Sequence, residues 1–148
     1  MPETRSLARE VFDKMMEGDH FSRWLGIDLI EVDEGYCKLQ MTVREEMLNG
    51  YAMLHGGVTF AFADSAFAFA SNSYGRISVS LHASVTYNEP GKSGDVLIAE
   101  AKEVALGNKT ATFDVTVVKA GSTKALAVFR GTVYRTSKQV LDKENDDE

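Results

Sequence analysis

The spacing of apolar and polar residues changes several times along the chain, and each change marks a predicted element. Near the start, Leu7, Val11 and Met15 recur at helical spacing with charged residues between them. This pattern predicts an amphipathic helix over residues 4–17 that ends near Gly18.

Beyond a short connector predicted at residues 20–26, the pattern becomes that of β-strands. Residues 27–32 are rich in strand-forming side chains, and residues 36–43 alternate strictly between apolar and polar types. Strict alternation implies a sheet with one buried face. Residues 45–54, which include an Asn-Gly pair, are predicted to form a loop.

Residues 56–72 form a distinct segment, GGVTFAFADSAFAFASN, that is apolar on nearly every side. A helix with no polar face is typical of a buried position. At about 1.5 Å per residue it is too short to span a bilayer. We therefore predict a central helix covered by a sheet.

Four long strand-like segments complete the pattern. They are residues 77–87, 95–106, 109–119 and 124–135. Two of the intervening turns are short enough for antiparallel hairpins. The order of elements predicts an α+β protein, in which a long antiparallel β-sheet wraps around a central buried α-helix. Apolar residues on outer strand positions indicate that sheet faces are buried by self-association into a homo-oligomer.

The 148 residues are expected to form one folded domain, because one core serves a chain of this length efficiently. An N-terminal helix and connector are expected over residues 1–23, and the domain itself over residues 24–136. Residues 137–148 are strongly acidic, and we expect a disordered tail there.

Charge and composition narrow the possible partners and the compartment. The net charge is −6, with 16 basic and 22 acidic residues, which argues against nucleic acid as a partner. Cys37 is the single cysteine, so the chain cannot form an intramolecular disulfide and fits a reducing compartment. The N-terminus lacks a signal-peptide pattern. We predict a soluble, cytoplasmic protein that has no membrane partner.

The most unusual residue is Asp64, which lies in the middle of the predicted buried helix. A buried carboxylate needs hydrogen-bond partners, a shifted pKa or access to a cavity. Asp64 is either a structural residue bonded to a backbone group or a neighbouring subunit, or a general base or nucleophile that faces an apolar pocket.

A second candidate feature, His55-Gly56-Gly57, stands at the start of the same helix. Amides in a first helical turn lack intrahelical acceptors, and glycines let a ligand approach the backbone closely. The segment can therefore form an oxyanion hole for an acyl oxygen. Alternatively, His55 caps the helix and the glycines only permit a tight turn. The three histidines show no close metal-ligand spacing, so we expect no metal.

The spacing of these two features has a geometric consequence. Gly56 and Asp64 are eight residues apart, or roughly 12 Å along one helix. A carbonyl bound at Gly56 therefore cannot also reach Asp64 of the same helix. If both residues act on one substrate, they come from two subunits, which predicts two composite sites per dimer.

The remaining polar candidates are less distinctive. Asn49 can orient a water or the carboxylate, or serve only as a turn residue. Ser65 and Ser80 can each bond to a substrate or to a carboxylate, although most serines are structural. The nucleophile elbow, the phosphate loop and the dinucleotide-binding fingerprint are all absent from the sequence.

In combination, these residues resemble a known family. Asn49-Gly50, His55-Gly56-Gly57, and Asp64 in an Ala/Phe-rich helix followed by Asn72-Ser73 are similar to the PaaI-like acyl-CoA thioesterases of the phenylacetic acid degradation type. The resemblance covers roughly residues 24–134 and implies the hotdog fold. It also implies hydrolysis of acyl-CoA thioesters, with aryl-acetyl groups such as phenylacetyl or hydroxyphenylacetyl, or medium-chain acyl groups, as substrates in phenylacetate catabolism.

The resemblance further implies roles for individual residues. The Gly56 amide would polarise the thioester carbonyl, and Asp64 of the facing subunit would act as nucleophile or as base for water. Asn49 and His55 would help to place the reacting groups. The residues implied to contact substrate are Gly57, Ser65 and Ser80. Similar enzymes are dimers of dimers, and they need no metal or cofactor beyond the coenzyme A of the substrate.

Two other functions remain open at the level of the sequence. One is an enoyl-CoA hydratase or dehydratase on the same fold, which would use His55 together with Asp64. The other is a protein that binds acyl-CoA without turnover.

Overall fold

The computed structural model describes residues 5–141 and contains one six-stranded antiparallel sheet with a long helix across one face. The helices are α1 (Leu7–Gly18), α2 (His20–Leu25), the 3-10 turn Glu45–Met47 and α3 (Gly56–Asn72). The strands are β1 (Asp28–Asp33), β2 (Tyr36–Thr42), β3 (Arg76–Tyr87), β4 (Val96–Leu106), β5 (Thr110–Lys119) and β6 (Ala125–Gln139). The predicted α+β architecture is confirmed.

The sheet order is β1-β2-β4-β5-β6-β3. Helix α3 follows β2, the second strand of the sheet, and leads to β3 at the far edge. Strands β4, β5 and β6 pair with their neighbours in sequence, as the short turns predict. One face of the sheet packs against α3, and this contact forms the core.

Aromatic side chains of α3 anchor the helix to the sheet. The Phe67 ring contacts the rings of Phe113 and Phe129, with centroids 6.0 and 5.5 Å apart. Phe62, Phe67 and Phe69 are all fully buried, and each contributes roughly 1.5–3 kcal/mol by burial. Gly131 on β6 makes room for Phe67, because a Cβ atom there would lie only 2.6 Å from the ring.

The N-terminal region differs from its prediction in one element. The predicted connector at residues 20–26 is instead the helix α2, which Asp19 caps by accepting a hydrogen bond from the Ser22 N–H at 2.9 Å. Gly26, at φ 75°, ends it. Six residues are too few to show a helical period, so only the Asp19 cap was available as a signal. Helix α1 starts at Leu7, later than predicted, with Ser6 as its cap.

At the other end of the chain, β6 is longer than predicted. It continues to Gln139, which pairs with Arg76 of β3, so the predicted domain boundary at residue 136 lies inside the strand. Residues 1–4 and 142–148, which include most of the predicted tail, lie outside the described residues. The division at residues 23 and 136 stays a prediction.

Strand β3 is an edge strand that pairs only with β6. It has 12 residues, and its side chains Val79 and Leu81 are 48% and 60% exposed. A long apolar edge is a template for pairing with another chain. In the described part of the chain, no helix is long and apolar enough to cross a membrane.

Candidate active site

The N-terminus of α3 is organised by His55. Its Nδ1 accepts a hydrogen bond from the Gly57 N–H at 2.9 Å, and its carbonyl oxygen accepts from the amides of Val58 and Thr59. The first turn of a helix has four amides without intrahelical acceptors. His55 satisfies two of them, those of Gly57 and Val58, and its own N–H donates to the Met47 carbonyl at 2.9 Å. Among residues 5–141 the Gly56 N–H is then left without an acceptor and is available to a ligand.

Close packing explains both glycines of this turn. A Cβ atom on Gly56 would lie 3.2 Å from the Tyr87 ring, and one on Gly57 would lie 3.0 Å from the Nδ1 of His55. The Tyr87 hydroxyl also donates to the Gly56 carbonyl at 2.9 Å. The capping interpretation of His55 is therefore confirmed, whereas the approach of a ligand to this turn stays a prediction.

A cavity of about 340 Å³ lies beside this helix end. Its lining includes Asn49, Gly56, Thr59 and Tyr87, with apolar surface from Leu54. The Asn49 Oδ1 accepts hydrogen bonds from the amides of residues 51 and 53, so this residue forms the predicted turn. The same turn places Asn49 at the cavity. Both of these hydrogen bonds involve Oδ1, the oxygen atom of the side-chain amide.

Asp64 lies about halfway along α3 and is partly buried. Burial is the main cause that raises its pKa above the ordinary range of a carboxyl, and the negative charge of Asp19 raises it further. None of residues 5–141 donates a hydrogen bond to the Asp64 carboxylate. Such a group is a stronger base than an exposed aspartate, and it is not committed to a structural hydrogen bond.

The candidate residues fall into separate groups within one chain. Asn49 and Gly56 share the cavity at the start of α3, whereas the lining of that cavity does not include Asp64. Ser65 faces the N-terminal helix α2, where its Oγ lies 2.8 Å from the Ser22 Oγ. Ser80 is exposed on the edge strand β3. The single chain thus presents two half-sites at different places on α3.

Comparison with known proteins places this chain and its fold in a family. Residues 51–126 match the family described as the thioesterase superfamily. Acyl-coenzyme A thioesterase PaaI of Escherichia coli is 40% identical over 121 residues, which are 82% of this chain and 86% of that protein. The chain belongs to the thioesterase superfamily. It is a thioesterase with the hotdog fold.

Solved and curated relatives agree with this assignment. The E. coli PaaI structure superposes with a TM-score of 0.87 at 38% identity, and the match covers 90% of this chain and 96% of PaaI. A Streptococcus mutans protein bound to acetyl-CoA has a TM-score of 0.73 at 30% identity, over 76% and 90% of the two chains. Human acyl-coenzyme A thioesterase 13 is 33% identical over 134 residues, 88% of this chain and 95% of that protein.

Four residues near the half-sites were not predicted from the sequence of this thioesterase. Thr59 and Tyr87 line the cavity, and Asp19 and Ser22 lie next to the middle of α3. Tyr87 is the last residue of a predicted strand, and Asp19 precedes a helix, but neither position alone indicates a site. Their roles depend on tertiary contacts that residue spacing does not contain.

Proposed function

We propose that this thioesterase hydrolyses acyl-CoA thioesters to a free acid and CoA, with the Gly56 amide and the Asp64 carboxylate as its catalytic groups. One observation carries the proposal: α3 combines an unused amide at its N-terminus with a half-buried carboxylate of raised pKa. The names of the relatives support the substrate class, because two of them are acyl-coenzyme A thioesterases and a third was solved with acetyl-CoA.

The Gly56 N–H would donate to the thioester carbonyl oxygen. Negative charge develops on that oxygen as the tetrahedral intermediate forms, and the amide is already oriented by the helix that follows it. The positive end of the helix dipole adds to the stabilisation. One oxyanion donor of this kind accelerates a reaction by roughly 10²- to 10³-fold.

Asp64 would supply the second function, by one of two routes. As a general base it takes a proton from water, the hydroxide adds to the carbonyl carbon, and the intermediate expels the CoA thiolate. As a nucleophile its carboxylate displaces the thiolate directly, and water then hydrolyses the resulting anhydride. Both routes need the ionised carboxylate, and the raised pKa makes that carboxylate more basic.

The two groups would come from two subunits. Roughly 12 Å along the helix axis separates Gly56 from Asp64 of the same chain, which is too far for both to act on one carbonyl group. The exposed apolar edge at β3 supports pairing with a second copy, which would extend the sheet. Such a dimer has two equivalent composite sites, and further pairing would give a dimer of dimers.

The other candidate residues would assist these two. His55 holds the first turn of α3 by accepting hydrogen bonds, and Asn49 borders the cavity where the acyl group would enter. Because the Gly57 amide donates to His55, Gly57 would contribute close approach and not a hydrogen bond. Ser80 lies on the proposed dimer edge, from which it can contact substrate bound between subunits. The reaction needs no metal or additional cofactor.

Aryl-acetyl groups, such as phenylacetyl and hydroxyphenylacetyl, are the proposed acyl groups, with medium-chain acyl groups as a second class. The support for this is the 38% identity to E. coli PaaI, a protein from the phenylacetic acid degradation operon. The cavity next to Gly56, with Leu54 and Tyr87 in its lining, provides apolar and aromatic surface for such groups.

Release of free CoA thiol tests the proposal. Aryl-acetyl-, benzoyl- and linear acyl-CoAs are assayed with the wild type, with Asp64→Asn and with Asp114→Asn. Asp114 pairs with Arg130 on the sheet, so this control removes a carboxylate away from α3. Loss of thiol release in Asp64→Asn alone supports the proposal. Hydration of an enoyl-CoA, or binding of acyl-CoA without thiol release, would contradict it.

A further inference from the structure

A chain of three side chains connects the N-terminal region to the middle of α3. The Ser65 Oγ lies 2.8 Å from the Ser22 Oγ, which donates to the Asp19 Oδ2 at 2.7 Å. Asp19 also accepts from the Ser22 backbone N–H at 2.9 Å as the cap of α2. Ser22 and Ser65 are 2% and 7% exposed, so water competes little with these bonds.

The Asp19 carboxylate sets the donor and acceptor of both side-chain hydrogen bonds in this series. A carboxylate has only acceptor atoms, so the single hydroxyl hydrogen of Ser22 belongs to the bond with Asp19. Ser22 can then only accept from Ser65, which donates its own hydrogen. The Ser65 hydroxyl oxygen therefore has only lone pairs left for the site. There it can accept a hydrogen bond from a water or from an N–H group.

Asp19 is also the nearby charge that acts on Asp64. Its negative charge adds to the effect of burial in raising the pKa of Asp64. Among the other elements that pack on α3, α1 contacts the helix through the uncharged ring of Phe12, which lies against the ring of Phe69. Cys37 of β2 belongs to the buried core that also contains residues of α3, and its thiol is neutral because burial raises its pKa to about 12. Among residues 5–141, Asp19 is the ionisable group whose charge shifts the pKa of Asp64.

We propose that Asp19 is a positioning residue for the reaction, which anchors Ser65 through Ser22 and keeps a second negative charge beside Asp64. The inference rests on the proposed function, since it assigns the groups that tune the proposed catalytic carboxylate. The proposal assigns a role in the site to the segment before β1, which contains Asp19 and Ser22. This segment lies far in the sequence from His55-Gly56-Gly57 and from Asp64.

The first test removes the charge of Asp19 and retains the cap. Asparagine and serine are both good N-cap residues, so Asp19→Asn and Asp19→Ser preserve α2 by two different side chains. Without the second negative charge, Asp64 ionises more readily. The acid limb of the kcat/KM profile is therefore expected to move to lower pH in both variants. Glu17→Gln, which removes an exposed charge from the same segment, is expected to keep the wild-type profile.

The second test breaks the hydrogen-bonded chain and retains the charge. Ser22→Ala leaves the backbone N–H that Asp19 accepts, whereas Ser65 loses its acceptor and becomes free to bond to a carbonyl one turn earlier. The acid limb is expected to stay at the wild-type pH. The plateau of kcat is expected to fall roughly fivefold, as for the loss of one buried hydrogen bond.

The outcomes separate this inference from the proposed function. If Asp64→Asn abolishes thiol release but both Asp19 variants keep the wild-type acid limb, only the role of Asp19 is overturned. An acid limb that moves equally in Ser22→Ala and Asp19→Asn would also overturn it, because the charge would then not be the cause. If Asp64→Asn retains full activity, the proposed function itself fails.

Discussion

Replacement of Gly56 by proline tests the oxyanion role of a single backbone N–H group. Proline has no amide hydrogen, and its fixed φ suits the first position of a helix, which Gly56 occupies. The residue before a proline must be extended, and His55 already has φ −63° and ψ 130°. Gly56→Pro therefore deletes the proposed donor and is compatible with the backbone of the turn.

The matched control is Gly56→Ala. Alanine introduces the same Cβ atom, 3.2 Å from the Tyr87 ring, but it retains the N–H group. Crowding of the Cβ atom against Tyr87 affects both variants, so their difference reports the loss of the N–H group together with the added ring atoms of proline. One such donor is worth roughly 2.7–4 kcal/mol in the transition state, or about 10²- to 10³-fold in kcat.

The assay is steady-state release of CoA thiol, with thermal unfolding to confirm that both variants fold. We expect kcat of Gly56→Pro to lie at least about 10²-fold below that of Gly56→Ala, because the donor acts on the charge of the transition state. Equal values of kcat in the two folded variants would refute the assignment of the Gly56 amide as oxyanion donor.

Three further predictions concern the core, the site and the edge. Gly131→Ala forces a Cβ atom to within 2.6 Å of Phe67, so denaturant unfolding should show a loss of about 1–3 kcal/mol; an unchanged midpoint would contradict this packing. Asp64→Asn should unfold at a higher denaturant concentration than wild type at neutral pH. The raised pKa of Asp64 means that the ionised carboxylate destabilises the folded state at this pH, and the neutral asparagine amide removes that cost. That gain should vanish as the pH falls below the ordinary aspartate pKa, and a gain that persists there would have another cause. Leu81→Lys, at a position 60% exposed on β3, should reduce the mass measured by light scattering, and an unchanged mass would exclude this edge from the interface.

Much of the fold could be predicted because local patterns and tertiary structure agree. The apolar run over residues 56–72 predicts the bounds of α3 as the structure has them, since its length and composition permit only a buried helix. Alternation places β2 correctly to within one residue. By contrast, α2 is too short to show a period, and β6 extends to Gln139 because β3 offers partners for its last residues.

The candidate site could be predicted only in part, for a similar physical reason. The motif at His55 and the isolated Asp64 are visible because their residue types conflict with a simple structural role. Asp19 and Ser22 are ordinary capping residues in the sequence, and only the packing of α2 on α3 brings them to Ser65. Residue spacing along one chain contains no information on such contacts.

The central claim is that each site is shared between two subunits, and a heterodimer of two inactive variants tests it most directly. Asp64→Asn and Gly56→Pro chains with different affinity tags are co-expressed, and the dimer that carries both tags is isolated. If the sites are composite, one of its two sites retains Gly56 from one chain and Asp64 from the other. We expect thiol release at about half the wild-type rate per dimer. A heterodimer no more active than either parent variant would contradict the shared site.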